Sequence, residues 1–247
     1  MSPKISSSTP PSSTPPSSTP PSAALPLQAL TVLAPAGAEY KAIEKGFRCA
    51  EHAPTLIAVP AGQAVGKFAQ SLERGNKLAA NVLLIGLGGG LSTKCEVGSP
   101  LLLKQVWNAT HQSVSLSCHE QLTAQISVRL STGIGVGVMC DRVITTVQEK
   151  LKLGDRYQAE VVDMESFSLL QALPHHNVAI LRVISDSCDH DLPDISQAVR
   201  PDGSLNGVSM AMSFAKQPIA AIKFIKSSLT GLSQLQQIGT RLLNESG

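Results

Sequence analysis

The chain lacks a surplus of charge, a paired-cysteine motif and a long apolar run, and each absence closes off a class of function. Its formal net charge of +2 is too small for long-range attraction to nucleic acid or a membrane. Five cysteines, Cys49, Cys95, Cys118, Cys140 and Cys188, are scattered with no CxxC pair, which reads as reduced thiols of a cytoplasmic protein rather than a disulfide framework. No apolar stretch reaches the roughly 18–20 residues that span a bilayer. The first residues hold no apolar h-region, so no secretory signal is expected. What is there, 43% hydrophobic and 15% charged residues over 247 positions, suffices for one sizeable core. Small-molecule chemistry is the expectation.

Residues 1–26 carry Ser-Ser-Thr-Pro-Pro at Ser7–Pro11, Ser12–Pro16 and Ser17–Pro21. Repeated proline favours extended backbone, and without apolar side chains nothing offsets the entropy of ordering, so 1–26 is expected as a disordered tail and 27–247 as the folded domain. Leu30–Ala34, Leu56–Val59 and Asn81–Ile85 read as strands. The first two lead through small-residue loops into helices, and the third into the glycine run Gly86–Gly90, read as a turn where backbone amides approach a ligand. Pro100–Trp107 and Gly133–Met139 read as further strands, and Glu120–Ile126 as part of a helix. A helical extension follows from about 207 to 244, broken at Pro218. There Phe214, Ile219, Ile222 and Ile225 accompany Lys216, Lys223 and Lys226, an amphipathic pattern expected to pack on the body or to touch a membrane surface or lipid substrate. Strands alternating with helices imply a single α/β domain with a central mostly parallel or mixed sheet flanked by helices.

Several motifs fail on inspection. The glycine run places Leu91 where a dinucleotide fingerprint needs its third glycine, and no apolar-periodic helix follows. Gly66-Lys67 lacks the phosphate-loop pattern. His175-His176 and His190 have no Cys, His or Asp at metal-ligand spacing, so neither metal nor cofactor is expected.

The segment Val161–Asp191 is different. An apolar run ends in Asp163-Met164-Glu165, a helix-compatible stretch stops before Pro174, and a second apolar run, Val178–Ile184, ends in Ser185-Asp186. Read as a parallel strand, helix, strand unit, it brings Glu165 and Asp186 to one sheet edge, where ligands bind in open α/β sheets. Glu39, just past the first strand, joins them. Arg182 sits inside an apolar run, where an unpaired guanidinium is costly, so it is expected to face a carboxylate or the site itself. A structural ion-pair network would look the same for any one of these residues. Three carboxylates at strand ends of one edge favour a site.

At these residues the chain resembles the nucleoside phosphorylase and nucleosidase superfamily. The similarity runs from about Leu30 to Asp191 and rests on Val-Asp-Met-Glu-Ser (162–166) and Leu-Arg-Val-Ile-Ser-Asp (181–186). Ile85–Leu91 resembles the family's glycine-rich ribose-side loop, and Glu39 matches the water-orienting glutamate of methylthioadenosine/S-adenosylhomocysteine nucleosidases. The proline-bearing loop after Asp191 and the helical C-terminus look most like the hopanoid-associated phosphorylases.

The resemblance implies cleavage of the N-glycosidic bond of an adenosine-type nucleoside in a cytoplasmic homo-oligomer. Asp186 would protonate the purine, which requires that burial or a neighbouring carboxylate keep it protonated. Glu165 would hold the ribose hydroxyls with Met164 against the sugar, Arg182 would support Ser185 and the acid, and Gly88 and Gly89 would admit sugar or nucleophile. The nucleophile divides the readings. Glu39 suits a water-activating base, whereas Lys67 is the candidate anion partner for phosphate as co-substrate. The C-terminal likeness leans to phosphorolysis of a nucleoside with a hydrophobic 5′ substituent. Methylthioadenosine or S-adenosylhomocysteine hydrolysis is the alternative, and a catalytically silent nucleoside-binding or storage protein is the reading from another class.

Overall fold

The computed structural model describes residues 29–48, 53–110, 114–193 and 214–243. The serine- and proline-rich repeats at 1–26 and most of the loop after Asp191 lie outside them. Eight strands and six main helices follow in order: β1 (Leu30–Pro35), α1 (Ala38–Phe47), β2 (Thr55–Val59), α2 (Ala64–Arg74), β3 (Asn81–Gly90), β4 (Pro100–Asn108), β5 (Val114–Ser117), α3 (Glu120–Leu130), β6 (Gly133–Met139), α4 (Val147–Tyr157), β7 (Val161–Asp163), α5 (Ser166–Ala172), β8 (Asn177–Asp186) and α6 (Pro218–Leu243). The α/β character and the mixed sheet match the sequence expectation. No described helix is long and apolar enough to cross a membrane.

The sheet closes on itself. β3 pairs with β8 in parallel and β7 antiparallel, β4 pairs with β8 antiparallel and β6 in parallel, and β6 pairs with β7 in parallel. Five strands therefore form a ring, while β1 and β2 extend from the first half of β3 and β5 from the end of β4. The first half of β3 is Val82-Leu83-Leu84-Ile85, all fully buried, as a strand covered on both faces must be.

Two expectations change here. The glycine run Gly86–Gly90 is not a turn but the second half of β3, paired with β8 from Gly86↔Arg182 to Gly89↔Asp186. Its glycines are required by neighbours rather than by turn geometry. A Cβ on Gly88 would meet Val161 Cγ2 at 2.6 Å, and one on Gly90 would meet Cys95 Cβ at 2.9 Å. Second, β7 and β8 are not a parallel pair. β7 runs antiparallel to β3 and β8 runs parallel to it, so the two flank β3 from opposite sides in opposite directions.

The helical stretch breaks as expected, with a turn of helix at 214–216, a bend at Gln217 and α6 starting at Pro218, since proline's missing N–H costs nothing at a helix start. α6 packs on the body through Ala221, Leu235, Ile238 and Leu242, whereas Ile219, Ile222 and Leu229 are exposed. Of the apolar set read from the sequence, Ile219, Ile222 and Ile225 thus look outward, while Phe214 is half-buried. α6 crosses α1 where Gly46 meets Gly239, a site with no room for side chains, and rests on β3 where Gly231 faces Leu87. That seats α1, and with it Glu39, against the glycine half of β3.

Candidate active site

The glycine half of β3 forms a floor with acidic and basic side chains gathered along it. At its start, opposite Gly86, Arg182 projects from β8 and is fully buried. Its Nε donates to Asp163 Oδ2 at 2.7 Å, and its Nη2 lies 2.6 Å from the same oxygen and 3.1 Å from Glu165 Oε2. Asp163 closes β7, and its other oxygen accepts from Ser166 Oγ at 2.6 Å, which starts α5. Glu165 also accepts from the Gly62 N–H at 2.7 Å, so the β2–α2 loop is tied to the same point. Glu39, in the first turn of α1, accepts from the Leu87 N–H at 2.6 Å.

Gly86 joins these groups. A Cβ there would collide with Arg182 Nη1 and lie 2.8 Å from Glu39 Oε1. Arg182 Nη1 is itself buried with no hydrogen-bond partner among the described residues. Buried donors are nearly always satisfied, so an orphan beside a carboxylate marks a seat for a small polar group. The electrostatics fit. Glu39 is pushed up to about 7, first by desolvation and then by the nearby Glu165 charge. Burial raises Glu165 as well, against the pull of Arg182. Burial works against the Arg182 guanidinium, but Asp163, Glu165 and Glu39 outweigh it and hold Arg182 above its ordinary value.

Three residues further along β3, ~10 Å at ~3.3 Å per residue, lies Asp186. Its Oδ1 accepts from Ser185 Oγ at 2.6 Å, and its Oδ2 is paired with the ammonium of Lys150. Asp186 Oδ2 lies 3.1 Å from where a Gly89 Cβ would stand, a contact tight enough that a side chain there would press on this carboxylate. Both Ser185 and Asp186 belong to β8 itself rather than to a turn after it.

The structure therefore brings together Glu39, Glu165, Arg182, Ser185, Asp186, Gly88 and Gly89 around the second half of β3. Met164 lies beside Gly62, its Cε 3.9 Å from where a Cβ would be. Lys67 is not part of the cluster. It is on the exposed side of α2 and takes part in none of the ion pairs among the described residues. The support expected of Arg182 also differs: it clamps Asp163 and Glu165, while Ser185 and Lys150 hold Asp186.

Two side chains of these ion clusters escaped the sequence reading. Asp163 was part of the motif but had no role assigned, and its role is to carry Arg182. Lys150 was missed altogether because α4 was missed. A signal existed, since Thr146 followed by Glu149 is the spacing of a capping box, and the Glu149 N–H does donate to Thr146 Oγ1. That spacing puts Lys150 in the first helical turn.

No protein-family model matches the chain, and no curated protein matches it either. Solved structures do. Futalosine hydrolase of Helicobacter pylori is 16% identical with a TM-score of 0.57, over 82% of this chain and 97% of that one. The 5′-methylthioadenosine/S-adenosylhomocysteine nucleosidase of Campylobacter jejuni is 14% identical with a TM-score of 0.58, over 84% and 98%. The Streptococcus pneumoniae methylthioadenosine/S-adenosylhomocysteine nucleosidase, solved with 8-aminoadenine, is 12% identical with a TM-score of 0.56, over 84% and 98%. At these identities the likeness is one of architecture: the chain shares its fold with these nucleosidases and futalosine hydrolase.

Proposed function

We propose that the protein hydrolyses the N-glycosidic bond of an adenosine-type nucleoside, with water as nucleophile. The observation that carries this reading is the pairing over Gly86 of Glu39, a carboxyl pushed up to about 7, with the orphaned Nη1 of Arg182. A general base works best when it titrates near the operating pH. The guanidinium N–H orients the water oxygen and Glu39 takes its proton.

The bond that breaks joins the sugar's anomeric carbon to a purine nitrogen. Its electrons leave with the base, which takes a proton from the Asp186 side. The positive charge left on the sugar is covered by Glu165 and quenched by the water oxygen, while the water's proton passes to Glu39. Water is consumed, and free base and free sugar are released.

Phosphorolysis, favoured by the C-terminal resemblance, has less support in the geometry. A phosphate would need cations, and Arg182 is committed to two carboxylates while Lys67 is exposed. Three carboxylates within one cluster repel an anion. The nucleosidase likenesses point the same way, as likenesses of fold.

The test is adenine release from methylthioadenosine, S-adenosylhomocysteine and adenosine, with and without phosphate. Release unaffected by phosphate is expected. Release that requires phosphate would replace hydrolysis by phosphorolysis, and no release with retained nucleoside binding would make this a silent binding protein.

A further inference from the structure

Lys150 is an anomaly that the reaction above does not use. It lies in the first turn of α4, where the helix dipole disfavours a cation, and it is fully buried. Its Nζ is paired with Asp186 Oδ2 and donates to the Ser187 carbonyl at 2.9 Å. The start of α4 is fastened to the segment after Asp186 twice more. The Val147 N–H donates to Asp191 Oδ1 at 2.7 Å, and the Leu192 N–H to the Thr145 carbonyl at 2.8 Å. Helix and strand end are thus laced together so that one ammonium meets one carboxylate. Exchanging such a pair for apolar residues usually costs nothing or adds stability, so stability alone does not account for it.

The leaving base needs a proton, and the sequence reading required a neighbouring carboxylate or burial to keep Asp186 protonated. The neighbour found is an ammonium instead. We infer that Lys150 and Asp186 form a proton-donating dyad in which Lys150, acting through Asp186 as its positioning residue, is the source of the proton that the departing purine takes. The inference rests on the glycosidase reading. As the glycosidic bond breaks, the Lys150 ammonium passes a proton to Asp186 Oδ2, and the carboxyl so formed hands it on to the purine nitrogen. The charged pair becomes neutral amine plus carboxylate during the step, and solvent returns the proton to the amine after the base departs. No oxidant, metal or further reactant is needed. The Ser185 hydroxyl holds Oδ1, so only Oδ2 faces the ammonium.

Two variants and two leaving groups test this. K150M removes the proton. K150R keeps the cation but binds its proton too tightly to release it. Each is compared with the wild type for hydrolysis of methylthioadenosine and of a 4-nitrophenyl riboside, whose leaving group departs without a proton, with folding checked by circular dichroism. Both variants should lose about a hundredfold in kcat on methylthioadenosine with little change in KM, the scale of lost general-acid catalysis. On the nitrophenyl riboside the loss should shrink to less than about threefold, because no proton is needed. Equal losses on both substrates, or K150R as fast as wild type on methylthioadenosine, would overturn the proton role of Lys150 while leaving the glycosidase reading intact. Wild-type protein inert on every nucleoside and on the riboside would overturn the glycosidase reading and the dyad with it.

Discussion

Two ion clusters flank the glycine half of β3, and they are built on opposite principles. Around Arg182, one guanidinium faces Asp163 and Glu165, with Glu39 close by over Gly86, so acid outnumbers base. Around Lys150, one ammonium faces one carboxylate, Asp186, and the charges balance. The surplus at the first cluster has a visible consequence. Glu39 and Glu165 are both raised, with burial as the leading cause and neighbouring carboxylate charge adding to it. An acid-rich cluster stores a base that titrates near neutrality, which is what a nucleophilic water needs. A balanced buried pair stores one transferable proton without net charge, which is what a leaving base needs. The strand between them sets the spacing.

The difference can be broken most severely at Arg182. R182M leaves Asp163 and Glu165 buried without their cation, and removing one partner of a buried pair costs about 3–5 kcal/mol. Urea unfolding should record that loss. A loss below about 1 kcal/mol would mean that water reaches both carboxylates, and the first cluster would not be the buried network described.

Asp186 tests the other side. D186N keeps one oxygen to accept from Lys150 while its amide can donate to Ser185 Oγ, but the buried ammonium loses its counter-charge, so folding is checked by circular dichroism, and the amide cannot pass on a proton. A fall of at least about a hundredfold in adenine release is expected, the usual scale for losing a general acid. An unchanged rate would remove Asp186 from the chemistry and leave its cluster a structural pair.

Glu39 sharpens the comparison through pH. Its carboxyl titrates at about 7 in the folded chain against an ordinary 4.5, so as pH rises between those values the unfolded chain gives up its proton while the folded chain keeps it. Stability must fall across that window, by roughly 3 kcal/mol in total. E39Q should abolish this component of the slope and be the more stable protein at pH 8. Hydrolysis should show the opposite trend in the wild type, rising as Glu39 ionises through about 7. Equal pH slopes in the two proteins would detach Glu39 from the cluster.

Much of this arrangement was legible from the chain, and the exceptions have physical causes. Short apolar runs bounded by small residues located β1, β2, β4, β6 and β8; burial on both faces dictates those residues in β1 and β8, while β2, β4 and β6 are only partly buried. Glu165, Arg182 and Asp186 were legible because charge inside or at the end of such a run demands explanation. The relative direction of β7 and β8 was not, since a strand, helix, strand pattern favours a parallel pair and only closure of the ring reverses it. The glycine run was misread for a related reason, as its close neighbours come from β7, β8 and the segment holding Cys95. Lys150 was hidden most thoroughly. In the stretch Glu149-Lys150-Leu151-Lys152 it looks like any surface lysine, and its carboxylate partner stands 36 positions away.

Ser185 gives the finest test, because it shares its carboxylate with Lys150. Its hydroxyl donates to Asp186 Oδ1 at 2.6 Å, with the Gly88 carbonyl at 3.3 Å as the second acceptor in reach. S185A removes one hydrogen bond and no charge, a change of about 1 kcal/mol, which corresponds to about fivefold in rate. If the ion pair alone fixes Asp186, kcat on methylthioadenosine should barely move. If both oxygens must be held for the proton to leave from the right one, the fivefold loss should appear in kcat and leave KM alone. Because the variant alters neither the Arg182 cluster nor Lys150, the pH slope assigned to Glu39 should persist in it unchanged. A slope that shifts with Ser185 would mean that the two clusters are coupled through β3 rather than working as separate halves of one site.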